Sequence, residues 1–188
     1  GCLNFTTATS AADVQYKFDF VPPAGSLLLG NVSFKIWNGS NYINVTQGST
    51  TNTSYMQNAS LKLDNAVANW SIELEGIDLS AATNLNLSSA LNVSNSSGKT
   101  YVGMTNTMWT EMSQSLGADS IKIVIPQGGD LLIKCNENNL SDCSDVTAAS
   151  GVTKLAGGAG FSNTTWRIPT SLGFSTYTVQ DAANTTYN

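Results

Sequence analysis

Apolar and polar residues alternate with a period of two in one short segment after another along this chain, and that pattern leaves few folds open. The segments are VQYKFDFV at 14–21, NVSFKIW at 31–37, YINVT at 42–46, SLKLD at 60–64, ANWSIELEGI at 68–77, TYVGM at 100–104, SIKIVI at 120–125, DLLIK at 130–134, TTWRIP at 164–169 and FSTYTVQ at 174–180. Alternation sends neighbouring side chains to opposite faces of a strand, so each segment can bury one face and wet the other. Turn signals separate them, notably Pro22-Pro23-Ala24-Gly25, Asn38-Gly39, Ser97-Gly98, Gly128-Gly129 and Gly157-Gly158. About ten short strands punctuated in this way predict an all-β fold, an antiparallel β-sandwich of Ig-like or jelly-roll-like type. Only TNTMWTEMSQSLG at 105–117 has helical spacing, with Met108, Trp109, Met112 and Leu116 on one face and Gly117 as a stop; one or two turns are expected.

The surface of that sandwich is polar with little charge. Charged residues make up 11% of the chain, whereas 20 Asn, 23 Ser and 21 Thr supply about a third of its 188 residues. A net charge of −5 offers no basic field for phosphate, so nucleic acid is not expected as a partner. The absence of histidine removes Ser-His-Asp and Cys-His catalysis and His-ligated zinc together, and no enzyme and no cofactor are expected. No apolar run approaches the length of a membrane span. The start at Gly1, without Met or an apolar leader, is read as a mature sequence whose targeting peptide is gone or was omitted, so export is expected.

The triplet Asn-x-Ser/Thr, the acceptor for N-glycosylation, begins at Asn4, Asn31, Asn38, Asn44, Asn52, Asn58, Asn69, Asn86, Asn92, Asn95, Asn139, Asn163 and Asn184. Chance placement of the Ser and Thr residues would put only about 5 asparagines in such a triplet. Several have an apolar centre (Phe, Val, Trp or Leu), which in a strand would turn Asn and Ser/Thr together toward solvent. Covalent N-glycans are therefore expected at twelve of these positions, Asn4 being the poorer candidate because it lies in the N-terminal tail.

Residues 1–12, GCLNFTTATSAA, form that tail, and residues 13–188 the sandwich domain. If the tail is extended, Leu3, Phe5, Thr7 and Thr9 share a face, and no hairpin partner is signalled nearby. It is either the first strand of its own domain, a loose end, or a donor strand that completes the sheet of a neighbouring copy.

Cys135 and Cys143 are close enough in sequence to close a short disulfide loop in an oxidising compartment, leaving Cys2 over; a lipid anchor on Cys2 is disfavoured because Gly1 precedes it. Glu73 and Glu75 share a strand face at about 7 Å, a glycosidase-like spacing. With Trp70, Ile72 and Leu74 reading as core on the other face, the two glutamates are expected on a solvated surface. Glu137, Asp142 and Asp145 could offer oxygens to calcium but lack an EF-hand loop, and GGAGFSN at 157–163 lacks the Lys-Ser/Thr end of a phosphate loop, so no metal site is expected. Trp37, Trp70 and Trp166 lie in alternating strands, where packing is the default use of an indole, although a sugar-stacking platform is the alternative.

The sequons, the alternating tail at Leu3 to Thr9, the all-β pattern and the near absence of charge together resemble the subunits of archaeal extracellular filaments of the glycosylated thread type. The resemblance covers the general character of the chain and rests on no diagnostic motif. It implies an incomplete sandwich, polymerisation with copies of itself by donor-strand complementation, and a place in a cell-surface filament serving adhesion or biofilm. The other expectation is a monomeric secreted carbohydrate-binding or adhesin domain.

Overall fold

The computed structural model describes residues 3–10, 13–20, 32–45, 50–80, 91–173 and 175–182. Along them run strands β1 (Leu3–Ser10), β2 (Asp13–Phe20), β3 (Ser33–Trp37), β4 (Tyr42–Val45), β5 (Thr50–Asn52), β6 (Ala59–Asn65), β7 (Trp70–Ile77), β8 (Leu91–Ser96) and β9 (Lys99–Met104). Helix α1 (Asn106–Leu116) follows, then β10 (Ser120–Ile125), β11 (Leu131–Asn136), β12 (Asn139–Asp145), β13 (Thr153–Gly157), β14 (Thr164–Pro169) and β15 (Thr176–Gln180). All ten alternating segments contain a strand, and the pairings described are antiparallel. The order is β13-β14-β10-β7-β6-β3-β4 in a large sheet, β12-β11-β15-β9-β8 in a second, and β1-β2-β5 in a third.

The first two sheets pack face to face as a sandwich, with β7 and β10 approaching β9 and β15. Registry turns the alternation of single strands into rows. Ile36, Leu61, Leu74, Ile121 and Ile168 lie side by side across five strands, and Phe34, Leu63, Ile72, Ile123 and Trp166 form the adjacent row. These ten side chains are at most 4% exposed, and each contributes about 1.5–3 kcal/mol by leaving water. Val93, Val102, Met104, Leu132, Tyr177 and Val179 supply buried side chains from the smaller sheet.

Local chemistry sets the ends of these elements. Ser97 and Gly98 have φ of 50° and 74°, the two left-handed residues of a type I′ turn, and join β8 to β9. Helix α1 runs three turns, longer than expected, because Trp109 and Leu116 are both buried in the core. Gly117, with φ of 67°, ends it by donating its N–H to the Ser113 carbonyl at 3.1 Å.

Two expectations change. The tail has a partner: β1 pairs with β2 of the same chain from Leu3↔Phe20 to Ser10↔Asp13. Of the alternatives, pairing within its own chain is the one the described backbone adopts. Trp37 is not core; it is half-exposed and packs against Tyr42 with ring centroids 5.0 Å apart, whereas Trp70, Trp109 and Trp166 are buried.

Candidate functional site

The candidate acceptors are spread over the outside of the molecule. Asn44, Asn52, Asn58, Asn69, Asn95 and Asn139 are exposed, and Asn38, Asn92 and Asn163 half-exposed. Asn4 lies in β1, while Asn31, Asn86 and Asn184 lie outside the described residues. At Asn44 the apolar centre Val45 is buried and the asparagine exposed, whereas at Asn69 Trp70 and Ser71 are both buried. Asn69 instead reaches solvent by standing in the β6–β7 turn with φ of 58°, a conformation asparagine tolerates.

Hydrogen bonding separates the acceptors further. At Asn38, Asn52 and Asn139 the side-chain Oδ1 accepts from the backbone N–H of the triplet's own serine at 3.0, 3.0 and 3.1 Å. Ser54 Oγ and Ser141 Oγ add bonds of 2.8 and 2.6 Å to the same oxygens. These Asx-type turns engage the amide oxygen, and the nitrogen is the atom that would carry a glycan. Asn95 Oδ1 likewise accepts from Thr100 Oγ1 across the hairpin at 2.8 Å. At Asn92 the nitrogen itself is engaged, donating to Thr176 Oγ1 at 3.2 Å.

Cys135 and Cys143 are bonded, as the spacing predicts, and sit directly opposite each other on β11 and β12. Cys135 is buried and Cys143 exposed, and a cleft of about 520 Å³ opens beside them. In it, Lys134 donates to the Leu172 carbonyl at 2.7 Å, and burial lowers its pKa. Glu137 accepts from the Asn106 N–H at 2.9 Å, placing a carboxylate at the positive end of α1. Asp145 accepts from the Thr147 N–H, and among the described residues no cluster of three acidic, Cys or His side chains could hold a metal. The donor strand residues Leu3, Phe5, Thr7 and Thr9 stand opposite Phe20, Phe18, Tyr16 and Val14.

The glutamate pair is a correction. Glu73 and Glu75 do share a face, but it is not the solvated surface expected: Glu73 is buried and Glu75 half-buried. Glu73 is 2% exposed, accepts from Tyr42 Oη at 2.7 Å and lies 2.9 Å from Lys122 Nζ. Its Oε2 has no aligned hydrogen bond, so the lysine charge is what compensates its burial. Glu75 takes two bonds from Arg167, at 2.7 and 3.0 Å, and one from Ser120 at 2.8 Å. Burial alone would raise the Glu75 pKa; the bonds from Arg167 and Ser120, with the charges of Arg167 and Lys122, outweigh it and hold the carboxyl below its ordinary value. Tyr42 is pushed well up, by burial first and then by its bond to Glu73. Lys35, Lys62, Glu73, Lys122 and Arg167 form one continuous row across the large sheet, holding four of the chain's eight basic residues. Sequence reading missed this ladder because strand register, not spacing along the chain, assembles it.

Compared with known proteins, the chain matches no family, no curated sequence and no solved structure. The fold and its surface define an antiparallel β-sandwich protein. Among the described residues no helix is long and apolar enough to cross a membrane.

Proposed function

We propose that the chain is a structural subunit of a glycosylated extracellular filament of the archaeal thread type, polymerising head to tail through its N-terminal strand for surface adhesion or biofilm. The observation that supports this reading is the attachment of β1, which among the described strands is hydrogen-bonded to β2 alone. Eight pairs in one register can be made equally well with β2 of another copy, so exchange conserves the ladder. A one-way exchange of this kind is heterologous and extends into a filament where its rotation does not close. In the isolated chain the strand pairs with its own β2, so assembly in this reading is a swap, not the filling of an empty site. The exposed sequons on an almost uncharged surface support the extracellular part of the reading.

A monomeric secreted carbohydrate-binding or adhesin domain is the second reading. It is favoured by the intrachain pairing of β1 and by the Trp37–Tyr42 pair, which is accessible to a sugar ring. The tilt of 57° between these rings denies it one flat platform.

Negative-stain microscopy of the full chain sheared from cells, beside a chain lacking residues 1–12, separates the two. Filaments from the first and none from the second are expected. Monomers from both, or filaments from both, overturn strand exchange.

A further inference from the structure

Every sequon asparagine that lies inside a described strand lies in a strand at a sheet edge. Asn4 is in β1, Asn44 in β4, Asn52 in β5, Asn92 and Asn95 in β8, and Asn139 in β12, and among the described residues each of these strands is the last of its sheet. The nine described interior strands hold well over half of the described strand residues and carry no sequon asparagine. Asn38, Asn58, Asn69 and Asn163 directly flank interior strands but stand outside them. Polarity does not explain the division, because Lys35, Lys62, Glu73, Lys122 and Arg167 occupy outward positions of interior strands.

An edge strand exposes a row of unpaired N–H and C=O groups, and another chain can add to it at about 4.8 Å. Charged side chains are the usual deterrent, and this chain has few, with 8 basic and 13 acidic residues. We propose that the glycans on β4, β5, β8 and β12 are edge guards, whose function is to block lateral strand addition by a second copy of this chain. A branched sugar rooted on an edge strand fills the volume that an incoming strand must cross. Among the described strands, the edge without a sequon, β13, fits the same logic by other means: its register shifts between Lys154 and Ala156, and Lys154 adds a charge. β1 stands apart because it is the strand that exchanges. The inference rests on the glycosylated state proposed above and assigns that state a purpose.

The test compares two full-length secreted variants, each lacking four acceptors. The edge variant carries Asn44→Gln, Asn52→Gln, Asn95→Gln and Asn139→Gln; the turn variant carries Asn38→Gln, Asn58→Gln, Asn69→Gln and Asn163→Gln. Intact mass first establishes which glycans are present and which are lost. Light scattering and negative stain then follow association at equal concentration, with circular dichroism confirming the fold. The edge variant should associate side by side, with weight-average mass rising about fivefold or more above wild type, as open-ended edge pairing gives, while the turn variant stays with wild type. If the edge variant fails to fold, Ser54→Ala with Ser141→Ala removes the β5 and β12 acceptors while keeping their asparagines, and the same lateral association is expected. Equal behaviour of edge and turn variants, with glycans present in wild type, overturns the guard role alone. A wild-type mass without glycan overturns both the guard and the glycosylated state.

Discussion

Asn92 on β8 reaches across β9 to hydrogen-bond Thr176 on β15, and it can do so because the residue between them in register is Gly103. Thr176 is fully buried, so the bond holds the Asn92 amide nitrogen in the sheet. Asn92 should therefore remain largely unmodified while Asn95, on the same strand, is occupied. Glycopeptide mapping reads both sites, and full occupancy at Asn92 would show that its amide is modified before β8 and β15 come together.

Gly103 is required for a second reason. A Cβ there would run into the Ser175 carbonyl and come within 2.7 Å of Thr176 Cα, both backbone atoms that cannot swing away. Gly103→Ala should cost about 1–3 kcal/mol, the usual range for overpacking. Chemical denaturation would measure it; a variant as stable as wild type would mean that β9 and β15 part more easily than their packing implies.

Glu75 links stability to pH. Its folded-state pKa lies below the ordinary 4.5, so its contribution is complete above that value and is lost as pH falls through the folded pKa. Arg167→Gln removes the principal partner and with it most of that contribution, so the variant should be less stable than wild type near neutral pH, and the difference should shrink as pH falls and Glu75 becomes protonated in wild type. Thermal melts between pH 7 and pH 2 should show the two profiles converging toward low pH. Superimposable profiles throughout would mean that Ser120 and Lys122 suffice.

The Cys135–Cys143 bond closes a loop with a sequence separation of 8, which in the chain-entropy picture stabilises the fold by about 2.5 kcal/mol. It joins neighbouring strands at one end of the smaller sheet and leaves the ten-residue apolar core of the large sheet untouched. The double variant Cys135→Ser, Cys143→Ser should fold with a lowered midpoint and an unchanged denaturant slope. A chain that fails to fold at all would show that β12 is needed for more than closing an edge.

What the sequence reveals here depends on burial. Segments such as SIKIVI and TTWRIP are legible because one face is packed, and their strands, Ser120–Ile125 and Thr164–Pro169, coincide with the reading. The strands that alternation misses, β5, β8, β12 and β13, are all at sheet edges. In β12 and β13 no side chain is buried, so no apolar period is written into the sequence. The β1–β2 pairing is missed for another reason: the sequence between the two strands, Ala11-Ala12, has none of the Gly, Asn or Asp by which a hairpin is recognised in sequence. The sequons and the disulfide could be located from spacing, whereas the Lys35 to Arg167 ladder and the bond from Asn92 to Thr176 exist only after register is set.

Strand exchange itself can be caught by a cross-link. Thr7 and Tyr16 are register partners in the β1–β2 pair, so cysteines at both positions place two thiols opposite each other whichever chain supplies β1. If β1 stays in its own chain, oxidation of Thr7→Cys, Tyr16→Cys yields cross-linked monomers. If β1 moves to the next copy in the same register, oxidation after assembly yields a covalent ladder of multimers. Oxidation before assembly should then lock the hairpin and stop polymerisation, and reduction should restore it. The parallel variant Thr7→Cys alone controls for pairing with Cys2. We expect the ladder from assembled material and arrested growth from pre-oxidised material. Cross-linked monomers recovered from intact filaments would show that β1 does not exchange and that another surface joins the subunits.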